Sequence, residues 1–407
     1  MVTKASVLPL LFVVLTVARA PAQFGAIVGS PGAIQALWTV VVAGIVIDRV
    51  IVTRRGLDRL AVAISALLLL RAGLSFVALA VGRPGAISFA SAALSGMLTV
   101  MASAALYRRN RASFLDAVTA VVAVLAVLGT LLVVIDALGI AVPGHRFTMQ
   151  VATNRVALAT PFGLAEDYSR VGSRILRLQS FFDEPGTASM VLVPAAGLAV
   201  LTRRRGRAVV ITIASVLTFS VGALAGILLG AGFALFRGRR GRWVGQLFGV
   251  VLGVVATVLA VPGLTRYVTT KLTKGGDTTS ISQRLGELGL IVKPGKLIGS
   301  EQPVSIGPLN QIRVLGIADI PVELALLAVQ ARGFLAALQR RSTAIALSIS
   351  ALTVLGLQRI DPLSFPAAAL LLYATQREAR MRYRMPPVTQ ASLDPTNDRC
   401  GIDSTRR

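Results

Sequence analysis

Apolar runs of about twenty residues, the length at which a helix crosses a bilayer's hydrocarbon core, recur from one end of this chain to the other. Short clusters of arginine separate them. The runs fall at 5–20, 33–53, 60–81, 86–106, 116–140, 187–202, 207–221, 222–236, 243–262, 312–334, 341–357 and 362–377. With 54% of its 407 residues hydrophobic and a mean hydropathy of +0.73, the chain is too uniformly apolar for a water-soluble protein of this size. Short segments of alternating polarity, which a transmembrane barrel needs, are missing. The sequence predicts an all-α polytopic membrane protein of about 12 transmembrane helices. The pair at 207–236 is short and glycine-rich, and reads as two short spans or as an interrupted hairpin. Lys4, the apolar stretch after it and Ala18-Arg19-Ala20 imitate a cleaved signal peptide; the reading taken is an uncleaved first span.

The formal net charge is +24. In a soluble protein that excess points to nucleic acid. Here the basic residues sit between apolar runs, where they specify topology instead. Alternate connections carry Arg49, Arg54, Arg55 and Arg59, then Arg108, Arg109 and Arg111, then RRRGR at 203–207, RGRRGR at 237–242, and Arg340 with Arg341. The short connections between them are nearly free of Lys and Arg. This alternation predicts a multi-pass protein of the plasma (inner) membrane with both termini cytoplasmic. Residues 1–380 form the membrane domain, and the proline-containing polar stretch 381–407 reads as a disordered cytoplasmic tail. One cysteine, Cys400, and one histidine, His145, exclude an internal disulfide and a multi-histidine metal site.

Two connections, 141–186 and 263–311, are long and fall on the non-cytoplasmic side, yet they are basic. They hold Arg146, Arg155, Arg170, Arg174 and Arg177, then Arg266, Lys271, Lys274, Arg284, Lys293 and Lys296. Charge that runs against the topogenic bias suggests a use for it. The first of these loops ends in RILRLQSFFDEPGTAS, at 174–189. Pro185 lacks an N–H and has a helix-like φ, so it suits the first position of a helix, with Asp183 and Glu184 at the positive end of the dipole. Helix initiation accounts for the acids and the proline. It leaves Arg174 and Arg177 unexplained.

The pattern Arg177-x-x-Ser180-x-Phe182-x-Glu184-Pro185-x-x-Ala188 resembles the signature of bacterial O-antigen and exopolysaccharide polymerases of the Wzy type, which share a superfamily with the O-antigen ligases. In the second loop, Ser280-x-Ser282-x-Arg284-Leu285, followed by KPGKLIGS at 293–300, is similar to the S-x-x-R segment of that family. The resemblance covers about residues 140–340. The chain departs from the pattern at Gly186, where serine or asparagine is usual. It departs again at Ser220-Val221, where an arginine is missing, and at Asn310-Gln311, where the ligase branch carries a histidine. The last departure favours polymerase over ligase.

The resemblance implies a C-type glycosyltransferase fold that uses no metal and no cofactor. It implies transfer of a glycan from an undecaprenyl diphosphate carrier to an acceptor hydroxyl. It also implies membrane lipids and a chain-length regulator or flippase as partners, and no nucleic acid. Cleavage of the anomeric C–O bond puts charge on a lipid diphosphate, and guanidinium groups stabilise it well because they are always charged and bind phosphate bidentately. Loss of one such contact costs on the order of 3 kcal/mol in the transition state, about 100-fold in rate. Arg177 and Arg284 are thus the expected diphosphate clamps, with Arg174, Ser180, Arg266 and Lys293 as substrate-binding candidates. Glu184 either accepts the acceptor's proton or holds Arg177 in place. His145 has the intrinsic pKa of a base, but its place after Pro143-Gly144 at a span end favours a solvated interfacial role.

Three charges fall inside predicted spans. These are Arg71 in 60–81, and Asp319 and Glu323 four residues apart in 312–334. Charge at membrane depth is costly and is usually paired or functional. The expectation is a structural pair between Arg71 and one of the acids; a polar lining for the sugar or prenyl path is the alternative. A transporter is the competing non-enzymatic function. It predicts two related halves, whereas the hydrophilic mass here lies in two adjacent loops.

Overall fold

Asp58 closes an arginine-rich connection, and its carboxylate accepts the backbone N–H of Leu60 at 2.9 Å. That contact caps the first helix long enough to cross a bilayer. The computed structural model describes residues 4–19, 31–49, 58–83, 85–138, 140, 144–150, 154–160, 163–167, 176–180, 185–218, 220, 222–223, 225–229, 307–339, 343–356, 367–369 and 372. The elements are α1 (Lys4–Arg19), α2 (Pro31–Ile47), α3 (Arg59–Ala80), α4 (Ala86–Arg109), α5 (Arg111–Ala137), β1 (His145–Gln150), β2 (Asn154–Thr160), β3 (Gly163–Asp167) and β4 (Leu176–Ser180). They continue as α6 (Pro185–Leu201), α7 (Arg205–Leu217), α8 (Gly307–Leu315), a 3-10 turn (Ile317–Asp319), α9 (Ile320–Gln339) and α10 (Thr343–Gly356).

The described chain is mostly helical. Four helical segments in it are long and apolar enough to cross a membrane: Arg59–Ala80, Ala86–Arg109, Arg111–Asp136 and Ile317–Leu338. Shorter apolar helices cover Val7–Ala18, Gly32–Ile47, Thr187–Leu201 and Ile345–Val354. The expected spans at 243–262 and the second long connection up to residue 306 lie outside the described residues, as do most of 222–236, most of 362–377 and the tail.

The helices face their surroundings as membrane helices do. Helix α3 buries Ala61, Ile64, Ser65, Leu68, Arg71, Ala72, Ser75 and Ala78 while exposing Val62, Leu69, Leu70, Phe76 and Val77. Its polar side chains lie inside, beside Ile64 and Leu68, while large apolar ones face outward, an arrangement that lipid, rather than water, stabilises. Helix α4 answers with Ser95, Gly96, Thr99 and Ser103 among its buried residues, so the α3–α4 hairpin packs closely through small side chains. Thr99 returns its hydroxyl to the Ser95 carbonyl at 2.8 Å, which removes the cost of burying it. The main core is centred on Phe12, Trp38 and Phe114, all fully or almost fully buried. The Trp38 indole N–H donates to Thr16 Oγ1 at 3.0 Å and ties α2 to α1. An ideal Cβ on Gly226 would collide with the Ala351 Cα, and Ser350 Oγ donates to the Gly226 carbonyl at 2.8 Å. Two backbones touch there, and only glycine admits the contact.

Ion pairs tie arginines of two clusters to acids on neighbouring elements. Arg109 meets Asp48 at 3.1 Å, Arg108 meets Asp58 at 3.3 Å, and Asp116 receives Arg204 at 3.1 Å and Arg207 at 2.8 Å. These pairs join residues of connections that are two apart in the chain.

Two expectations need correction. The first long connection is not simply a loop: among the described residues β1 to β4 form an antiparallel four-stranded sheet in chain order, so the mostly helical fold carries strands there. The backbone polar groups of a segment outside the helices must be paired, and a meander pairs them locally. The span expected at 312–334 is the helical segment Ile317–Leu338, which starts later than expected: residues 312–315 belong to α8, separated from it by Gly316, whose φ is +83.

Candidate functional site

Strand β4 carries the first half of the RLQSFFDEPGTA stretch, and α6 carries the end of it. Leu178 on β4 is fully buried and sits over Gly129 of α5, where an added Cβ would come within 3.0 Å of the leucine side chain. That leucine is the peg by which the sheet docks, since β4 packs on α5 and α6, and β3 also meets α5. One residue before it, Arg177 stands in register with Glu166 of β3; two residues after it, Ser180 stands in register with Leu164. The ladder shifts register between Leu164 and Ala165, a bulge-like irregularity one pair away from the end of β4.

Pro185 is the first residue of α6, as its missing N–H and fixed φ predict. Ala188 and Ser189 follow, both fully buried. The Ser189 and Thr218 hydroxyls share a hydrogen bond of 2.7 Å, and Thr218 also donates to the Ser215 carbonyl at 2.7 Å. The first turn of α6 is thereby locked to the end of α7. The stretch thus runs from a strand edge into a fully packed helix start, and the residues at both ends of the junction are fixed.

Of the candidates from sequence, Arg177 and Ser180 fall on β4, and His145 opens β1 opposite Ala159. Arg174, Glu184, Arg266, Arg284 and Lys293 lie outside the described residues. Glu166, the register partner of Arg177, escaped the sequence reading. Its signal was the period-two stretch NRVALAT at 154–160 with the GLAED run after it, which reads as a hairpin once 141–186 is allowed to be a sheet.

The charges within the spans do come together. Arg71 Nε donates to Asp319 Oδ1 at 2.9 Å, Nη2 donates to Oδ2 at 3.1 Å, and Nη2 also reaches Glu323 Oε1 at 2.9 Å. The expected pair is a triad, with both acids on one guanidinium. Arg71 and Asp319 are buried, and the Glu323 side chain is 13% exposed. The fork satisfies both oxygens of Asp319, the geometry that offsets desolvation best. Removing one member of such a group typically costs about 3–5 kcal/mol, because a charge is left uncompensated at depth.

Arg83, in the turn between α3 and α4, was also missed. Its Nη1 donates to the Val314 carbonyl at 2.7 Å and more weakly to the Arg313 carbonyl at 3.4 Å. Cations near a helix C-terminus complement the dipole and the unpaired carbonyls there.

No protein-family model matches the chain, and none of the curated proteins matches it.

Proposed function

We propose that this chain is a membrane glycosyltransferase that joins oligosaccharide repeat units, delivered on undecaprenyl diphosphate, into a surface polysaccharide. One observation supports the reading: Arg177 and Ser180, which resemble the family signature, lie on a strand, and Pro185 of the same signature opens a helix, and both elements are packed on the helical bundle. Strand β4 is held through Leu178 on Gly129, and α6 is held through Ser189 on Thr218. Arg177 is thus carried on a strand that is docked on helices, and a charge held by a docked element stabilises a developing diphosphate well.

In this reading Arg177 and Arg284 clamp the diphosphate, Arg174, Ser180, Arg266 and Lys293 bind substrate, and Glu184 takes the acceptor's proton or holds Arg177. The fold is C-type with about twelve spans in the inner membrane, and both termini are cytoplasmic. Neither metal nor cofactor enters the mechanism. The attacking hydroxyl forms the new glycosidic bond as the anomeric C–O bond breaks, and the electron pair leaves on the diphosphate.

Deletion of the gene with a glycan gel as readout tests this. Loss of polymer with single repeat units retained supports polymerisation. Long polymer accumulating on the lipid carrier would instead identify a ligase, and unexposed precursor with no polymer a transporter. Arg177→Ala and Arg284→Ala should reproduce the deletion while the protein still reaches the membrane.

A further inference from the structure

The end of helix α8 and most of α9 fall in one apolar stretch of sequence but in two packing units. Val314 and Leu315, at the end of α8, pack with Ala78, Ala86 and Phe89 in a small cluster of their own at the tip of the α3–α4 hairpin. Val322, Leu326, Ala337 and Leu338 of α9 belong to the main core. Gly316 lies between the two units with φ +83. A Cβ built there would meet nothing within 4 Å, so glycine is required at this position by the backbone and not by crowding. The regular ladder ends at the bond from Gly316 N–H to the Ile312 carbonyl, 2.8 Å, and a single 3-10 turn closed by Asp319 N–H on the Gly316 carbonyl, 3.2 Å, precedes α9.

Two arginines from one hairpin bracket this break, and they hold it unequally. On the α9 side, Arg71 makes three contacts of 2.9–3.1 Å with two carboxylates in a buried setting. On the α8 side, Arg83 is half-buried and makes one short bond, 2.7 Å, to a neutral carbonyl, with a longer one at 3.4 Å. A guanidinium–carboxylate fork at depth is far harder to open than a single bond at the hairpin tip. We infer that Gly316 is a hinge on which α8 swings against α9, with Arg83 as its releasable latch and the Arg71–Asp319–Glu323 triad as its fixed anchor. The hinge does not depend on the glycan chemistry proposed above.

Distance measurements between spin labels on full-length protein in lipid nanodiscs, in a Cys400→Ser background, test it. One pair, at Ile312 and Val77, reports α8 against α3. A second pair, at Leu335 and Val62, reports α9 against α3. Val77, Val62 and Leu335 are exposed and tolerate a label. Arg83→Gln should raise the long-distance fraction of the 312–77 pair about tenfold, the effect of losing one charge-assisted bond, and leave the 335–62 pair unchanged. Arg83→Lys, which keeps a donor, should stay near the parent. If Arg83→Gln leaves the 312–77 distances as they were, or moves both pairs together, there is no latched hinge. Should that variant give no folded protein, Gly316→Ala decides by the same pairs: a shift confined to 312–77 sustains the hinge, and no shift overturns it.

Discussion

Arg71 Nε lies 2.9 Å from Asp319 Oδ1, joining residues 248 positions apart in the chain inside the helical bundle. The contact fixes the start of α9 against the middle of α3, and Glu323 adds a second carboxylate to the same guanidinium at 2.9 Å. Arg71→Ala strands two acids and should destabilise by about 3–5 kcal/mol. Glu323→Gln removes the more accessible partner and leaves the Asp319 fork, so it should cost less than Asp319→Asn. The exchange Arg71→Asp with Asp319→Arg should recover much of the folded yield lost by either change alone. Fluorescence-detected size exclusion of detergent-solubilised protein ranks these variants. Equal losses for all three single changes would argue against a triad centred on Arg71.

The docking of the sheet makes a paired prediction. Gly129→Ala pushes a methyl to within 3.0 Å of Leu178 and should cost about 1–3 kcal/mol by overpacking. Leu178→Ala opens a cavity and should cost about 2–5 kcal/mol. Because each change relieves what the other creates, the double variant should be less destabilised than the sum. A thermal-melting cycle measures the coupling, and strict additivity would show that the two residues do not share a contact.

Gly226→Ala should fail outright, since its methyl would collide with the Ala351 Cα, a backbone atom that cannot turn away. Ser350→Ala at the same crossing loses only a hydroxyl bonded to the Gly226 carbonyl and should cost about 1 kcal/mol. Membrane expression of the two variants separates a backbone clash from a lost hydrogen bond.

Substitutions at the strand-to-helix junction should separate chemistry from folding. Arg177→Ala should lower polymer formation on the order of 100-fold with the protein amount retained. Arg177→Lys keeps the charge without the fork and should fall between the two. Glu166→Arg places like charges at one register position and should weaken that cross-strand pair by roughly 0.2–1 kcal/mol, with a partial loss of polymer. Glycan gels normalised to membrane protein read all three.

What could be read from the sequence follows what is local. The run expected at 60–81 is helix Arg59–Ala80, the run at 86–106 is the body of Ala86–Arg109, and Pro185 opens a helix. Each rests on neighbours within a few turns. Arg71 could be assigned an acid partner because its cost at depth demands one, although composition does not say that a single guanidinium takes both. The sheet was hidden because its strands are only 5 to 7 residues long and their pairing depends on residues across turns. The break at Gly316 was hidden because one glycine in an apolar run is tolerated in a membrane helix. Only the left-handed φ, together with the two separate packing clusters, marks the end of α8.

The sheet's chain-order meander has a consequence for biogenesis. Every strand pairs only with its sequence neighbours, and Leu178 anchors them to a helix completed earlier in synthesis. These hydrogen bonds need nothing made after residue 180. A segment with such short-range pairing closes quickly and ahead of the later domain parts. The emerging chain can seat this platform on α5 while the ribosome is still making the second half, so the later helices assemble around a finished piece.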